Sequence, residues 1–387
     1  MTELYLIRHA EAEGNLFRRI NGVYNAPLTP MGKQQKQPLA ERFRNIPLTA
    51  VYSSDLLRAM DTAEALSSSH SLPLHTMREL REVNMGIWED ECWGLIEKNE
   101  AEQYWNFSNA PAKWSVPGGE PWLETQLRMR SAILRIAAEQ PNGCVAVVSH
   151  GSAIRILLTA LLGYASEESG KLLYCDNTAV AKLLVDGTDI QPVFYNDSTH
   201  LPPELSAFTR DSWWKTPDGK DGRDLFFLPF PLENADAAER YLRRYRETWI
   251  CSYGKEDGFG TYLLNAAKQR RRKDENSVLE VWAEDRSIGV LELDREQGVG
   301  EGFGHIALLA LDEEYRHKGL GIQLIGQASS YYQRLGRTKL RLRVAVHNLP
   351  AQRFYRNGGF TVTGTEKGLF GDSYLMVRDI GGKGIEA

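Results

Sequence analysis

Two histidines follow apolar segments directly. Arg8-His9-Ala10-Glu11 comes after Leu4-Tyr5-Leu6-Ile7, and His150-Gly151 comes after Val147-Val148-Ser149. Histidine is the side chain whose ordinary pKa lies near neutrality. A neutral ring can attack phosphorus, and a protonated one can donate to phosphate oxygens as charge develops. An isolated Arg-His pair means little, so the weight lies in the segments around it. Ser53-Ser54-Asp55-Leu56-Leu57-Arg58-Ala59 puts Arg58 in the first turn of a helix that follows a strand. Leu80-Arg81-Glu82, ahead of Gly86-Ile87-Trp88-Glu89, supplies a carboxyl group, and Asn21-Gly22 through Met31-Gly32 forms an ordered loop leading into a helix. Together these residues are a coherent kit for phosphoryl transfer. Arg8 and Arg58 neutralise phosphate oxygens by forked hydrogen bonds. His9 can act as the nucleophile and His150, if protonated, adds donors. Glu82 protonates the leaving oxygen, provided burial or the phosphate's charge raises its pKa. This chemistry needs no metal, and the sequence carries no metal-ligand carboxylate cluster.

A second group of residues lies in the last third of the chain. Leu308-Leu309-Ala310-Leu311 ends a strand, and Arg316-His317-Lys318-Gly319-Leu320-Gly321 then opens an amphipathic helix. Glycines at 319 and 321 let backbone N–H groups approach a pyrophosphate, with the helix N-terminus and the charges of Arg316 and Lys318 beside them. Val344-Ala345-Val346-His347-Asn348 ends the next strand, and Ala351 to Phe360 reads as a short helix, a glycine cap and a strand.

The elements that must position these residues alternate along the chain. Strands are expected at Leu4–Arg8, Ala50–Ser53, Cys144–Ser149, Ala179–Val185 and Pro192–Tyr195, with helices near Gly32–Arg44, Leu56–Ser69, Glu124–Gln140 and Ser152–Leu162. That order predicts an α/β domain with helices over a largely parallel sheet, the histidines at its strand ends. Residues 196–224 crowd turn formers together and read as a linker, on which the Trp213-Trp214 pair is expected to pack against a domain. Beyond it, a strand at Phe226–Leu228 is followed by helices at Ala235–Trp249 and Thr261–Lys273. Strands at Val278–Ala283, Ser287–Leu293 and His305–Leu311, a helix at Leu320–Leu335, a strand at Lys339–Val344, a helix at Leu349–Asn357 and closing strands near Phe360 and Tyr374–Val377 complete the pattern. The basic run Lys268–Lys273 reads as a solvated helix face.

In order and spacing, the first set of residues resembles the histidine phosphatase superfamily (phosphoglycerate mutase-like) over roughly residues 3–195. The resemblance implies an α/β fold of three α/β/α layers and a small-molecule phosphate ester as substrate. It also implies His9 as the residue that becomes phosphorylated, Arg8, Arg58 and His150 as the phosphate pocket, Glu82 as proton donor, and no cofactor for this half. Asn15, the Asn of the extended RHGExxxN pattern, is implied as a further pocket residue. Ala10 departs from the glycine that many members carry. The short step from Glu82 to Gly86-Ile87-Trp88-Glu89 is similar to the phosphatase branch, whereas mutases carry a longer insertion there. The tryptophan-rich stretch that follows (Trp88, Trp93, Trp105, Trp114, Trp122) is expected to form a lid or simply a helical core.

The second set resembles the GNAT acyltransferase family over roughly residues 225–378. The carriers are R-x-x-G-x-G at 316–321 and N-x-x-A-x-x-F-Y-x-x-x-G-F from Asn348 to Phe360. It implies a mixed α/β acyl-CoA N-acyltransferase fold and acetyl-CoA as cofactor. Arg316, His317, Lys318, Gly319, Leu320 and Gly321 would hold its pyrophosphate, and the backbone at Leu309 and Leu311 the pantetheine arm. Asn348 would lie beside it, Tyr355 would protonate the departing thiolate, and the acceptor would be a small-molecule or peptide amine. His317 stands where the family often has Gly. Glu292 is a candidate general base by analogy, against the simpler reading of a solvent-facing strand residue.

Bulk properties fit two domains, 1–195 and 225–387, in 387 residues of ordinary globular composition. A net charge of −5 argues against a general nucleic-acid binder, which needs a basic surface. No window is apolar enough for a membrane span, and the strand-like start reads as no secretory signal. The scattered Cys92, Cys144, Cys175 and Cys251 suit a reduced, cytoplasmic protein without a structural metal. The expectation is therefore a metal-independent phosphatase joined to an acetyltransferase. Its alternatives are a phosphatase with a non-catalytic CoA-binding regulatory domain, or a phosphoglycerate mutase-type phosphotransferase.

Overall fold

A computed structural model describes residues 1–210, 224–255, 258–368 and 370–381. They fall into two compact units, one of residues 1–91 and 96–210, the other of 92–95 and 224–381. The Trp213-Trp214 pair lies outside the described residues.

The first unit runs β1 (Thr2–Arg8), α1 (Glu13–Phe17), α2 (Pro30–Phe43), β2 (Ala50–Ser53), α3 (Leu57–His70) and β3 (Leu74–Thr76). It continues with α4 (Trp93–Asn99) from Ile96 onward, α5 (Ala101–Asn109), α6 (Trp122–Glu139), β4 (Cys144–Ser149), α7 (Gly151–Leu161), β5 (Val180–Asp186), β6 (Asp189–Asp197) and α8 (Ala207–Arg210). Period-two alternation sets its layers. Leu4, Leu6, Val145 and Val147 face Met129, Ile133 and Ile136 of α6 and Ile154 and Leu157 of α7. Tyr5, Ile7, Ala146 and Val148 face Leu39 and Phe43 of α2 and Ala59, Ala63 and Leu66 of α3. Three α/β/α layers result, because strands buried on both faces must be covered by helices on each.

The strand order is β3-β2-β4-β1-β5-β6. β2, β3, β4 and β1 pair in parallel, while β5 lies antiparallel to both β1 and β6. The sheet is thus less uniformly parallel than its sequence suggests. Only Gly187 and Thr188 separate β5 from β6, too few for a parallel crossover but enough for a hairpin. Strand β6 extends to Asp197, inside the stretch read as linker, and 198–210 stays on this unit. Gln35 Nε2 donates to Leu205 O at 2.7 Å, and Ser206 Oγ to Asp176 Oδ2 at 2.5 Å.

The second unit comprises β7 (Leu225–Pro229), α9 (Ala235–Tyr253), α10 (Gly260–Lys273), β8 (Val278–Ala283), β9 (Arg286–Asp294) and β10 (Phe303–Leu311). It ends with α11 (Gly321–Arg334), β11 (Lys339–Ala345), α12 (Leu349–Asn357), β12 (Thr361–Glu366) and β13 (Ser373–Asp379). Its sheet order is β12-β13-β11-β10-β9-β8-β7. Phe230, Leu232, Tyr241 and Tyr245 pack with Val278, Val290, Leu308 and Ala310 beneath α9 and α10. The run 268–273 is not all solvated: Arg270 turns inward and binds Glu292 Oε1 at 2.6 Å and Asp294 Oδ2 at 2.9 Å.

Candidate functional site

In the first unit β1 and β4 are adjacent central strands, with Arg8 opposite Ser149, so His9 and His150 leave the sheet side by side. Their ring centroids are 5.1 Å apart. His9 Nδ1 lies 2.6 Å from the Ala10 carbonyl, which can only accept, so Nδ1 carries the proton. The lone pair is then on Nε2, which accepts from Arg58 Nε at 3.2 Å. Burial, then the charges of Arg58 and Arg8, hold the His9 pKa well below 6.5, so the ring is neutral and nucleophilic at neutral pH.

Arg58 is fully buried, and its other donors are engaged. Nη1 binds Tyr24 O at 2.8 Å, while Nη2 binds Asn21 O at 3.1 Å and Gly22 O at 2.7 Å. Burial brings its pKa down to about 10, opposed by Glu82 and Glu89. The forked grip expected of Arg58 is therefore made on the 21–24 loop, and only Nε faces His9. That loop rests on Glu89, whose oxygens accept from Val23 N, Tyr24 N and Met85 N at 2.8 Å each.

Arg8 donates through Nη1 to Cys175 O, while its Nε is buried without a partner, as are both ring nitrogens of His150. Gly151 allows this approach, because a Cβ there would sit 3.3 Å from Arg8 Nε. Burial first, then Arg58, keeps His150 neutral as well, so it is not the ready-made cation the sequence reading entertained. Glu82 has Oε1 on Val83 N (3.0 Å) and Ala153 N (2.8 Å) and Oε2 on Ser152 N (3.0 Å), which fixes it at the first turn of α7 beside His150. Arg128 clamps the same segment through Glu79 O, Arg81 O and Glu82 O and pairs with Glu120. Asn15 is engaged differently: its Oδ1 accepts from Ala12 N at 3.0 Å and caps α1. Trp88 and Trp114 are core residues, edge-on to each other and to Phe107, whereas Trp105 is exposed.

In the second unit β10 pairs with β11 only over Phe303–His305, while its pairing with β9 continues to Leu311 through a bulge between Ile306 and Leu308. The strands therefore part beside Leu309 and Leu311. Arg316 Nε donates to Leu311 O at 2.8 Å, drawing the following turn back onto the strand end. His317 (φ 60°) and Gly319 (φ 79°) are both left-handed, which makes a glycine at the first position understandable and His317 a tolerated departure. Leu320 N-caps α11, and Gly321 opens it against the ring of Phe354. Lys318 Nζ sits 5.5 Å over Tyr315. Asn348 caps α12 by accepting from Ala351 N at 3.2 Å and reaches Ser252 Oγ at 3.3 Å. Tyr355 lies between Phe354 and Phe360, and burial pushes its pKa up to about 12. Glu292 is not solvent-facing. It is 3% exposed and held by Tyr241 Oη and Arg270 Nη1 at 2.6 Å each, because its strand face lies under α9 and α10.

A family model for the histidine phosphatase superfamily (branch 1) matches residues 4–198, and one for the acetyltransferase (GNAT) family matches 238–360. The chain belongs to the histidine phosphatase superfamily. It carries a GNAT-family domain behind the phosphatase-type domain. The probable phosphoglycerate mutase GpmB of Proteus mirabilis (strain HI4320) is 36% identical over 165 residues, 42% of this chain and 76% of that protein. Its counterpart in Yersinia pestis (strain Pestoides F) is 35% identical over 173 residues, 44% of this chain and 80% of that protein. Among solved structures, Bacillus stearothermophilus YhfR is 29% identical with a TM-score of 0.50, covering 52% of this chain and 99% of that one.

In this histidine phosphatase unit, several residues that hold the candidate site were not singled out from sequence for that role. Glu89 and Arg128 act through backbone groups, and Asn177 Nδ2 holds the His9 carbonyl at 3.1 Å. None of these contacts leaves a local spacing signal, although Glu89 stood inside a motif already noted. Among the described residues, no group of three or more His, Cys, Asp or Glu converges as a metal site, and no helix is long and apolar enough to cross a membrane.

Three histidines of this unit (His9, His150 and His200) have pKa values below the ordinary 6.5 when folded. The unfolded chain therefore binds more protons below that pH. Stability is fully present above pH 6.5 and is lost as pH falls, by up to about 1.4 kcal/mol per pH unit for each group. Urea midpoints for this unit should drop steadily between pH 6.5 and 5; a flat profile would show that the rings charge freely in the fold.

Proposed function

We propose that the chain is a bifunctional enzyme, a phosphomonoester hydrolase acting through a phosphohistidine on His9 and an acetyl-CoA-dependent N-acetyltransferase. One observation carries the first half. Buried donors without partners, Arg8 Nε and the His150 ring, lie beside a neutral His9 whose Nε2 lone pair is fixed. Buried polar atoms without partners cost stability unless a ligand satisfies them, and a phosphate ester suits this set.

In this reading His9 Nε2 attacks phosphorus while the ester P–O bond breaks, and Glu82 gives the departing oxygen its proton. The bound dianion draws a proton from solvent onto His150, making it a donor for the equatorial oxygens, and His150 returns that proton to solvent when phosphate leaves. Glu82 then takes a proton from water, the water oxygen attacks phosphorus, the P–Nε2 bond breaks and phosphate leaves. His9→Ala should abolish both hydrolysis and acid-labile phosphoenzyme. Glu82→Gln should slow phosphoenzyme formation most for poor leaving groups, by about 10²–10⁴-fold. Equal slowing across aryl and alkyl phosphates would assign the acid elsewhere.

The naming of the GpmB relatives as probable phosphoglycerate mutases favours a second reading, transfer rather than hydrolysis. Only Val83, Asn84 and Met85 separate Glu82 from the turn at Gly86–Trp88, which supports the phosphatase. Hydrolysis of simple phosphate esters without a bisphosphorylated primer decides for it, and strict primer dependence decides against it.

For the second half, the parted strands and the left-handed turn at 317–319 fit the pantetheine and pyrophosphate of acetyl-CoA. Bound there, acetyl-CoA would supply an activated acetyl group for transfer to an amine. Backbone N–H groups at 316–321 would bind its phosphates and the backbone at Leu309 and Leu311 its arm, while Asn348 shapes the opposite wall. Tyr355, protonated at neutral pH, is the donor that the leaving thiolate requires. The alternative is a CoA-binding regulatory domain without turnover, for which Tyr355 would have no use. Thiol release from acetyl-CoA over an amine panel should be seen and should fall in Tyr355→Phe with CoA binding unchanged; binding without release on every amine supports the regulatory reading. Four free cysteines suit a reducing, cytoplasmic setting.

A further inference from the structure

The turn at 175–178 grips the end of β1 at several points. Cys175 O accepts from Arg8 Nη1, Ala179 O accepts from Arg8 N at 3.0 Å, and the His9 carbonyl accepts from Asn177 Nδ2 at 3.1 Å and Thr178 N at 3.4 Å. Asp176, Asn177 and Thr178 are 1%, 1% and 0% exposed. Thr178 has φ 58°, a left-handed backbone that a β-branched residue adopts only when its surroundings impose it.

Part of that hold is local, because Ala179 N closes the turn on Asp176 O at 3.2 Å; the rest comes from the segment that follows β6. Thr178 Oγ1 lies 3.0 Å from His200 Nε2, and His200 Nδ1 lies 3.2 Å from Arg42 Nη1. A guanidinium can only donate, so Nδ1 carries the lone pair and Nε2–H donates to Thr178. Arg42 is itself fixed by Asp197, through Nη2 to Oδ2 at 2.7 Å and Nη1 to the carbonyl at 3.1 Å. A second strut runs in parallel, with Asp176 Oδ1 accepting from Asn177 N (2.8 Å) and Ala207 N (3.2 Å) and Oδ2 from Ser206 Oγ (2.5 Å).

We propose that His200 and Thr178 are positioning residues for His9. By holding Thr178 in its left-handed conformation, the chain after β6 fixes the His9 carbonyl and so the aim of the His9 ring. The inference rests on His9 being the nucleophile. Neither residue touches the reacting atoms, so their removal should move the rate of phosphoryl transfer and leave substrate affinity alone. Misplacing a reacting group by about an ångström costs on the order of 10²-fold in rate.

The test uses the full chain with p-nitrophenyl phosphate and compares His200→Ala, His200→Gln and Thr178→Gly. His200→Ala should lower single-turnover phosphorylation of His9 by about 10–100-fold with KM within about twofold. His200→Gln, which keeps an N–H donor, should recover most of that loss. Thr178→Gly relieves the backbone strain yet removes the hydroxyl link, so it should lower the rate equally without a lower Tm. It decides the matter if His200→Ala does not fold. Rates within twofold of the parent in Thr178→Gly, or a loss that tracks Tm and that Gln does not rescue, would overturn the proposal. His9→Ala separates the two claims. If it still turns over, the nucleophile assignment has failed; if it is inactive while Thr178→Gly is unaffected, only the positioning role has failed.

Discussion

A guanidinium with no exposure to solvent organises the first unit. Deprived of water, Arg58 needs an acceptor for each donor, since a buried charge without partners costs several kcal/mol. Three loop carbonyls and His9 Nε2 take up four of its five N–H donors, so the loop at 21–24, helix α3 and the end of β1 are mutually fixed. Glu89 closes the arrangement from below by collecting the loop's N–H groups. Burial first, and then the same cation that orients His9, keep the ring unprotonated. The second unit uses the device again. Arg244, 1% exposed, forks onto Asp312 at 2.8 Å twice and binds Ser287 O and Gly289 O, tying α9 to the strand end just ahead of the 316–321 turn.

The two candidate sites are built by different means. In the first, side chains from the ends of parallel strands meet in a buried pocket, so each needs a second residue to hold it: Ala10 for His9, Cys175 for Arg8, Arg128 for the Glu82 segment. In the second, the backbone is the working part. The pairing of β10 with β11 stops at His305, and two left-handed residues shape the turn before α11. Side chains there mostly cap and brace, as Asn348 and Arg316 do.

Much of this was legible in the sequence. Continuous apolar runs located β1 and β4, and the helix signals located α2, α3, α6 and α7, which bring the segments bearing His9, Arg58, Glu82 and His150 to one end of the sheet. What escaped was non-local. Strand β3 has three residues and no apolar pattern, and the antiparallel turn of β5 depends on a hairpin rather than on composition. Glu292 and Arg270 read as surface residues because buried ion pairs are written in solvent-face letters. Thr178 was invisible for the opposite reason, since its hydroxyl is held by His200, far away in sequence, and a threonine carries no local signal for the left-handed position of a turn.

The Ala10 carbonyl fixes the His9 tautomer and leaves the lone pair on Nε2, the atom that would attack phosphorus. Phosphorus and nitrogen NMR of the trapped phosphoenzyme reads this directly, because the two ring nitrogens give distinct phosphohistidine signatures. One phosphoryl group on Nε2 of His9 is the expected result. Phosphorus on Nδ1, or on any residue other than His9, would contradict the account.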